Sequence, residues 1–352
     1  MTIATAPYCA ISPYCKRKCN PPQCNEAIKD ICIDSPYYDM CSLCGRFKHF
    51  LSLTCPTGAF KSKHHIERSS DLIFNFRHKR LKQCVTEKDL WHHRYVTYAN
   101  THPDTREVYH PLTRWPHQVL VNTVIAAGML TFCKTYPGLA LWQWANQSYQ
   151  AYIAWNHRNV PSCVSDRQVI NSYIIGTAGS IGTAVGLRYV TTKYFKCVPF
   201  FVPKLIPLAA LLVGNMLAVP ALRAQDLKYG VPVYDHLHKR LGASPLAAQN
   251  DVHERVIVKN ATYFLPLLVT PFVMHPFRRD TYYWICKYPF LRKLLLLSTL
   301  GGLFAFSTPF ALALFKCPGE MSYCDLERCI RNRVETRLKY QVSPIVYYKS
   351  EC

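Results

Sequence analysis

The sequence predicts an all-α, multi-span helical membrane protein with about five transmembrane helices, one further polar or interfacial helix, and a basic N-terminal extension. The first observation is that only 18% of the 352 residues are charged, against about a quarter in an ordinary soluble domain. The second is that 42 Lys and Arg residues outnumber 21 Asp and Glu residues. The third is that these charges are absent from six long stretches of the chain. A chain with such long apolar stretches is not a disordered basic tail.

The six stretches contain no Asp, Glu, Lys or Arg, and each is close to the roughly 17–25 residues that a helix needs to cross a bilayer. A charged side chain in lipid is costly, so a multi-span protein confines its charges to the connecting segments. The windows are 115–133, 135–157, 168–187, 205–222, 260–277 and 294–315. We therefore predict an N-terminal extension, a basic pre-membrane region, a helical transmembrane domain and a polar tail, over 1–44, 45–114, 115–315 and 316–352.

The extension 1–44 is rich in cysteine, and eight of the 17 cysteines lie in the first 55 residues. Cys41 and Cys44 form a C-x-x-C pair, but no second pair follows at the spacing of a zinc ribbon. They are weak metal candidates, and we predict neither a metal nor a cofactor. The extension lacks a secretory apolar region and contains several acidic residues, so we expect no cleavable presequence.

The region 45–114 contains 13 basic and six acidic residues, interleaved with aromatic residues. Basic and aromatic side chains together suit nucleic acid, which is one interpretation. No recognised nucleic-acid-binding fold is visible, however, and the segment leads directly into the apolar windows. We therefore favour contact with anionic lipid headgroups, so that the lipid bilayer is the expected partner and nucleic acid is not.

The windows differ in polarity, and 294–315 is the most uniformly apolar. Window 135–157 contains three Trp and three Tyr, but also six amide or hydroxyl side chains: Gln143, Asn146, Gln147, Ser148, Gln150 and Asn156. Such groups are costly at bilayer depth unless they face a cavity or another helix. A soluble amphipathic helix is the alternative. Prolines inside two other windows are candidates for helix breaks that expose backbone groups to a ligand, or for simple kinks. They are Pro207, Pro220, Pro266 and Pro271.

Two motifs narrow the prediction. The first is His102-Pro103-Asp104-Thr105, just before window 115–133, and the second is the run WQWANQS from Trp142 to Ser148. In this order and spacing they resemble the sideroflexins, a family of mitochondrial inner-membrane proteins. Further similarity lies in Gly45-Arg46, in Arg223 with Asp226, and in Val346-Tyr347-Tyr348.

The resemblance implies a multi-pass carrier of small neutral amino acids, with serine favoured, that feeds one-carbon metabolism. Homo-oligomers or other inner-membrane partners are compatible with it. No enzyme is expected, and the chain contains no G-x-S-x-G, H-E-x-x-H or P-loop motif. The alternative is a scaffold that transports nothing, such as a respiratory-complex assembly factor with a role in iron homeostasis.

Several residues depart from the pattern of the resembled family, and they put the substrate in doubt more than the fold. Gln150, Ala154 and Ala218 stand where that family has Asn, Lys259 stands where it has Arg, and Arg106 stands where it has Gly.

A zwitterionic substrate needs donors for its carboxylate and acceptors for its ammonium group, and amide and hydroxyl side chains supply both. We therefore predict that Asn146, Gln147, Ser148 and Asn215 bind substrate; the alternative is that they bond to neighbouring helices. Other motif residues are assigned structural roles. His102, Pro103, Asp104 and Thr105 form a turn or helix cap, with gating by Asp104 a secondary hypothesis. Trp142 and Gln143 belong to the same polar run. Arg223 and Asp226 have the spacing of a helical ion pair at the end of a span.

Overall fold

Most of the described residues are helical. The four short strands of a small sheet lie between residues 231 and 348. The computed structural model describes residues 31, 33, 35–80, 85–103, 105–158, 164–195, 199–235, 239–278, 288–316, 318–337 and 345–348. The helices are α1 (Leu43–Thr54), α2 (Lys63–Arg77), α3 (Glu87–Asn100), α4 (Trp115–Thr131), α5 (Tyr136–Asn156), α6 (Asp166–Tyr194), α7 (Val202–Leu222), α8 (Ala224–Tyr229), α9 (Pro245–Val273), α10 (Pro289–Ala313) and α11 (Arg328–Arg337). The strands are β1 (Val231–Tyr234), β2 (Arg240–Ser244), β3 (Gly319–Ser322) and β4 (Ile345–Tyr348).

Most of each charge-free window lies within one helix among α4, α5, α6, α7, α9 and α10, so the prediction that these windows are helical is confirmed. Among the described residues, α7, α9 and α10 are long and apolar enough to cross a membrane, by length and composition alone. α4 has 17 residues, at the short end of the range that spans a bilayer. The count of about five spans stays a prediction.

These six helices form one bundle in which sequential neighbours run antiparallel. The start of α7 is tied to the end of α4, because Lys204 Nζ donates to Leu130 O over 3.2 Å. The start of α6 is tied to the end of α7, because Gln168 Nε2 donates to Leu222 O over 3.3 Å. Buried apolar side chains from five of the helices fill the centre, among them Val119, Tyr149, Leu211, Leu267 and Phe304.

The prolines leave their helices unbroken, so of the two interpretations, a helix break or a simple kink, the structure excludes the break at these four positions. α7 continues through Pro207 and Pro220, and α9 continues through Pro266 and Pro271. A proline removes the N–H that would bond to the carbonyl four residues earlier, and another group must satisfy that carbonyl inside a membrane. For Pro266 this carbonyl is Thr262 O, which accepts a bond of 2.9 Å from Ser307 Oγ on α10.

A four-stranded antiparallel sheet, in the order β2-β1-β4-β3, corrects the all-α class. Val233 pairs with Tyr348, and Met321 pairs with Val346. The alternate side chains of these strands pack into a small core of their own. The strands have only four or five residues, too short to show a clear alternating pattern. β1 and β2 pair as neighbours in the chain, whereas β1 also pairs with the distant β4.

Region 45–114 folds into helices that pack at one end of the bundle. Phe50 and Leu53 of α1 are buried together with Ala99 of α3 and Ala313 of α10. The Arg46 side chain donates from Nε to Ala313 O over 2.8 Å, which satisfies a carbonyl at the end of α10. This bond joins the pre-membrane helices to the most apolar predicted window.

Replacing Ser307 by alanine tests the role of the proline-freed carbonyl. Removal of the hydroxyl leaves Thr262 O buried without a donor, at a cost of about 1–3 kcal/mol. We expect Ser307→Ala to lower the thermal midpoint of the detergent-solubilised protein. Ser298→Ala is the matched control, since the exposed Ser298 hydroxyl bonds only to Leu295 O in its own helix. Equal midpoints for the two variants would contradict the assignment.

His49 in α1 gives the pre-membrane helices a sensitivity to acid. Burial, and then the positive charge of Arg94, lower the pKa of His49 to about 4, whereas an unfolded histidine has a pKa of about 6.5. The stability that the neutral ring contributes is complete above about pH 6.5 and is lost as the pH falls towards 4, by about 2 kcal/mol at pH 5. We expect the thermal midpoint of His49→Gln to fall less between pH 7 and about pH 5 than that of the wild type. The exposed His64→Gln variant is the control, and equal falls for His49→Gln and the wild type would show that His49 is not responsible.

Candidate functional site

A small polar cavity lies between α5, α6, α7 and α9. Its volume is about 20 Å³, enough for roughly one water molecule. The side chains that line it include two amides, two hydroxyls and one ammonium, and none of them is acidic. The polar lining residues are Gln147, Gln150, Ser172, Tyr173 and Lys259, and the apolar ones are Ala151, Ala154, Ala218, Val219 and Leu222.

Gln147 is the predicted substrate-binding residue that lines this cavity. Its side chain lies between α6 and α7, where two glycines leave room for it. A Cβ atom at Gly214 would lie 2.6 Å from Gln147 Nε2, and one at Gly176 would lie 3.1 Å from Gln147 Oε1. Gln147 is 2% exposed, and its Nε2 has no hydrogen-bond partner within the described part of the chain. The amide of this lining residue therefore has unused donors.

The other three predicted binding residues lie close to Gln147 in the sequence or in the bundle, but they do not line the cavity. Asn146 is fully buried, and neither of its amide atoms has a partner among the residues described. Asn215 is fully buried and donates from Nδ2 to Asn260 Oδ1 over 3.0 Å. Ser148 Oγ donates to Tyr173 OH over 3.2 Å. Ser148 thus reaches the cavity only through a lining residue.

A chain of hydrogen bonds that the sequence did not predict starts at the cavity wall. Gln150 Nε2 donates to Tyr263 OH, and Tyr263 OH donates to Asn122 Oδ1 over 3.0 Å. This chain links α5, α9 and α4. Its only sequence signal was the presence of an amide and a phenol inside otherwise apolar windows.

The cavity also brings together most of the departures from the resembled family. Gln150, Ala154, Ala218 and Lys259 all belong to its lining. They are separated in the sequence and come from three helices, so only the fold shows that they meet.

The His102 motif connects the pre-membrane helices to the C-terminal end of α5. His102 Nδ1 accepts from Thr105 N over 3.3 Å, so its Nε2–H is free to donate to Arg158 O, 2.8 Å away. Pro103 and Thr105 are exposed in the turn, as the turn interpretation expects. Asp104 lies outside the described residues.

Arg106 shows why a glycine would suit the position after this motif. Its φ of 61° lies in the left-handed region, which favours glycine. The Arg106 guanidinium carbon lies 4.3 Å from the centre of the Phe74 ring on α2. This cation–π contact offsets part of the backbone strain.

The remaining predicted residues make structural contacts. The Trp142 ring covers Gly128, where a Cβ atom would lie 2.2 Å from the indole. Gln143 Nε2 donates to Pro207 O over 2.9 Å. Arg223 and Asp226 form the expected ion pair, at 3.3 Å. Cys41 and Cys44 are free and exposed. No group of three metal-binding side chains occurs within the described ranges.

Comparison with known proteins finds the same family that the two sequence motifs resemble. A family model described as Sideroflexins matches residues 32–350, so part of the predicted extension 1–44 lies inside the match. Sideroflexin-3 of Homo sapiens is 30% identical over 322 residues, which cover 91% of this chain and 97% of that protein. Sideroflexin-1 of Ovis aries is 28% identical over 87% of this chain and 93% of its own length. Sideroflexin-1-3 of Drosophila melanogaster is 29% identical over 87% and 94%. No solved structure matches the chain.

Replacing Gly214 by alanine tests whether the Gln147 side chain packs directly against Gly214. The added methyl group must displace the Gln147 amide or the Ser180 Cβ atom, which would lie 2.8 Å away. Overpacking of this kind costs about 1–3 kcal/mol, so we expect a lower thermal midpoint for Gly214→Ala. Gly186→Ala is the control, because a Cβ atom there meets nothing within 4 Å. If both variants melt like the wild type, the close approach of α5 and α7 at Gln147 is wrong.

Proposed function

The chain belongs to the sideroflexin family, and from that premise we propose that it carries a small neutral amino acid, with serine favoured, across the mitochondrial inner membrane. Transport of this kind supplies one-carbon metabolism. The observation that supports the proposal is the small cavity, lined in part by polar side chains, between four helices of a largely apolar bundle. Buried polar groups without partners lower the stability of a fold. A protein that only scaffolds others gains nothing from them, whereas a carrier can use them to bind its substrate.

The residues at the cavity have the chemistry that an amino acid requires. Gln147 and Gln150 each provide an amide, Ser172 and Tyr173 each provide a hydroxyl, and Lys259 provides a cation. Together they offer both donors and acceptors to a zwitterion. No covalent chemistry is needed, because a carrier only binds and releases its substrate.

The size of the cavity bears on the mechanism. A volume of about 20 Å³ holds roughly one water molecule, and any amino acid is larger. Substrate entry therefore requires that the helices around Gln147 move apart. The pairing of antiparallel helices about a central polar site is compatible with alternating access, in which one group of helices rocks against the other.

Uptake of labelled serine by liposomes that contain the purified full-length protein tests this proposal. We expect saturable uptake by the wild type and uptake about tenfold lower for Gln147→Met, since a lost hydrogen bond to a charged group costs about 1.5–3 kcal/mol. Asn171→Ala is the control, because Asn171 is an exposed amide on α6 next to the lining residue Ser172.

Wild-type liposomes that take up no more serine than empty liposomes, with the protein folded and inserted, would overturn the transport proposal. That result would favour the scaffold or assembly-factor alternative. Equal uptake by Gln147→Met and the wild type would instead show that this cavity is not the transport site.

A further inference from the structure

The cavity is lined by a lysine whose charge no described residue neutralises. Lys259 lines the cavity, and no hydrogen-bond or ion-pair partner for it exists in the described ranges of the chain. Nearby cations on the same side of the bundle are paired. Arg255, one turn earlier in α9, lies 2.7 Å from Asp251, and Arg223 lies 3.3 Å from Asp226.

An unpaired ammonium group inside a bundle is unfavourable, because three N–H donors and a full charge are withdrawn from water without compensation. Lys259 is half-buried, and it directly precedes Asn260, whose side chain is bonded to Asn215. The chain therefore keeps an unmatched cation beside a buried amide pair. A ligand that brings its own negative charge removes the imbalance.

The other lining residues indicate which group of the ligand lies at Lys259. Gln147 also lines the cavity, and its Nε2, a second donor without a partner among the described residues, favours an oxygen acceptor. No acidic side chain lines the cavity, so a cationic group finds no counter-charge there. It finds only the neutral oxygens of amides and hydroxyls.

We propose that Lys259 binds the carboxylate of the transported molecule, with Gln147 as the second donor. This inference rests on the proposed transport function and assigns the substrate class more narrowly. The carboxylate is the required group and the ammonium is not. Small 2-hydroxy acids therefore enter the site as amino acids do, and amines without a carboxylate do not.

Competition against labelled serine uptake by wild-type liposomes tests this assignment without any variant. Glycerate retains the carboxylate and the three-carbon skeleton of serine but replaces the ammonium by a hydroxyl. Ethanolamine retains the ammonium and the hydroxyl but lacks the carboxylate. We expect glycerate to inhibit uptake and ethanolamine to leave it unchanged. Inhibition by ethanolamine but not by glycerate would overturn the assignment.

Substitution at position 259 gives a second, independent readout. We expect Lys259→Met to raise the KM for serine about tenfold or more, the range of a lost charged hydrogen bond, and Lys259→Arg to keep it within about threefold of the wild type. Lys293→Met, at an exposed lysine of α10, is the matched control. An unchanged KM for Lys259→Met refutes the role of Lys259 while serine transport by the wild type still stands. Absence of wild-type transport refutes the proposed function itself.

Discussion

Polar groups within this bundle must find partners inside the protein, because lipid provides none. The helices α7, α9 and α10 show how strictly the fold obeys this constraint. Ser307 donates to the carbonyl that Pro266 leaves without an N–H. Gln143 donates to Pro207 O, and Arg46 donates to a carbonyl at the end of α10. Each of these bonds joins two elements that are distant in the sequence, so satisfying the backbone also fixes which helices are neighbours.

Some buried polar groups in the described residues still have no partner, and they occur in several parts of the fold, for example at Asn100, Arg188 and Thr308. Asn146, Gln147 and Asn215 each retain an amide atom without a partner among the described residues, and Gln147 lines the cavity together with Lys259. Unsatisfied polar groups cost stability, so the Gln147 amide and Lys259 are the groups at the cavity that a ligand from outside would satisfy. The close packing of Gly176 and Gly214 against Gln147 holds that amide in a defined position. The cavity is smaller than an amino acid, so the helices around it must separate before a substrate can bind.

The helices could be predicted from the sequence because exclusion of charge from lipid is a local property of composition. The run from Trp142 to Ser148 likewise indicated a polar site, and it did contain Gln147. Lys259 could not be assigned to that site, since a lysine beside window 260–277 looks like an ordinary boundary charge until the packing of α9 is known. The sheet was missed for a related reason. Its strands are four or five residues long, Pro232 interrupts the pattern of one of them, and the pairing of β1 with β4 joins Val233 to the distant Tyr348.

The sheet also constrains the order in which the molecule can be completed. β1 precedes α9 and α10 in the chain, whereas its partner β4 follows them, and Val233 pairs directly with Tyr348. During synthesis β1 therefore cannot pair with β4 until both helices have been made and lie antiparallel to each other. Tyr348 then also reaches back to Glu254 of α9 over 2.9 Å. The sheet can therefore be completed only when α9 and α10 bring β4 beside β1, and a misplaced α9 or α10 would leave one edge of β1 unpaired.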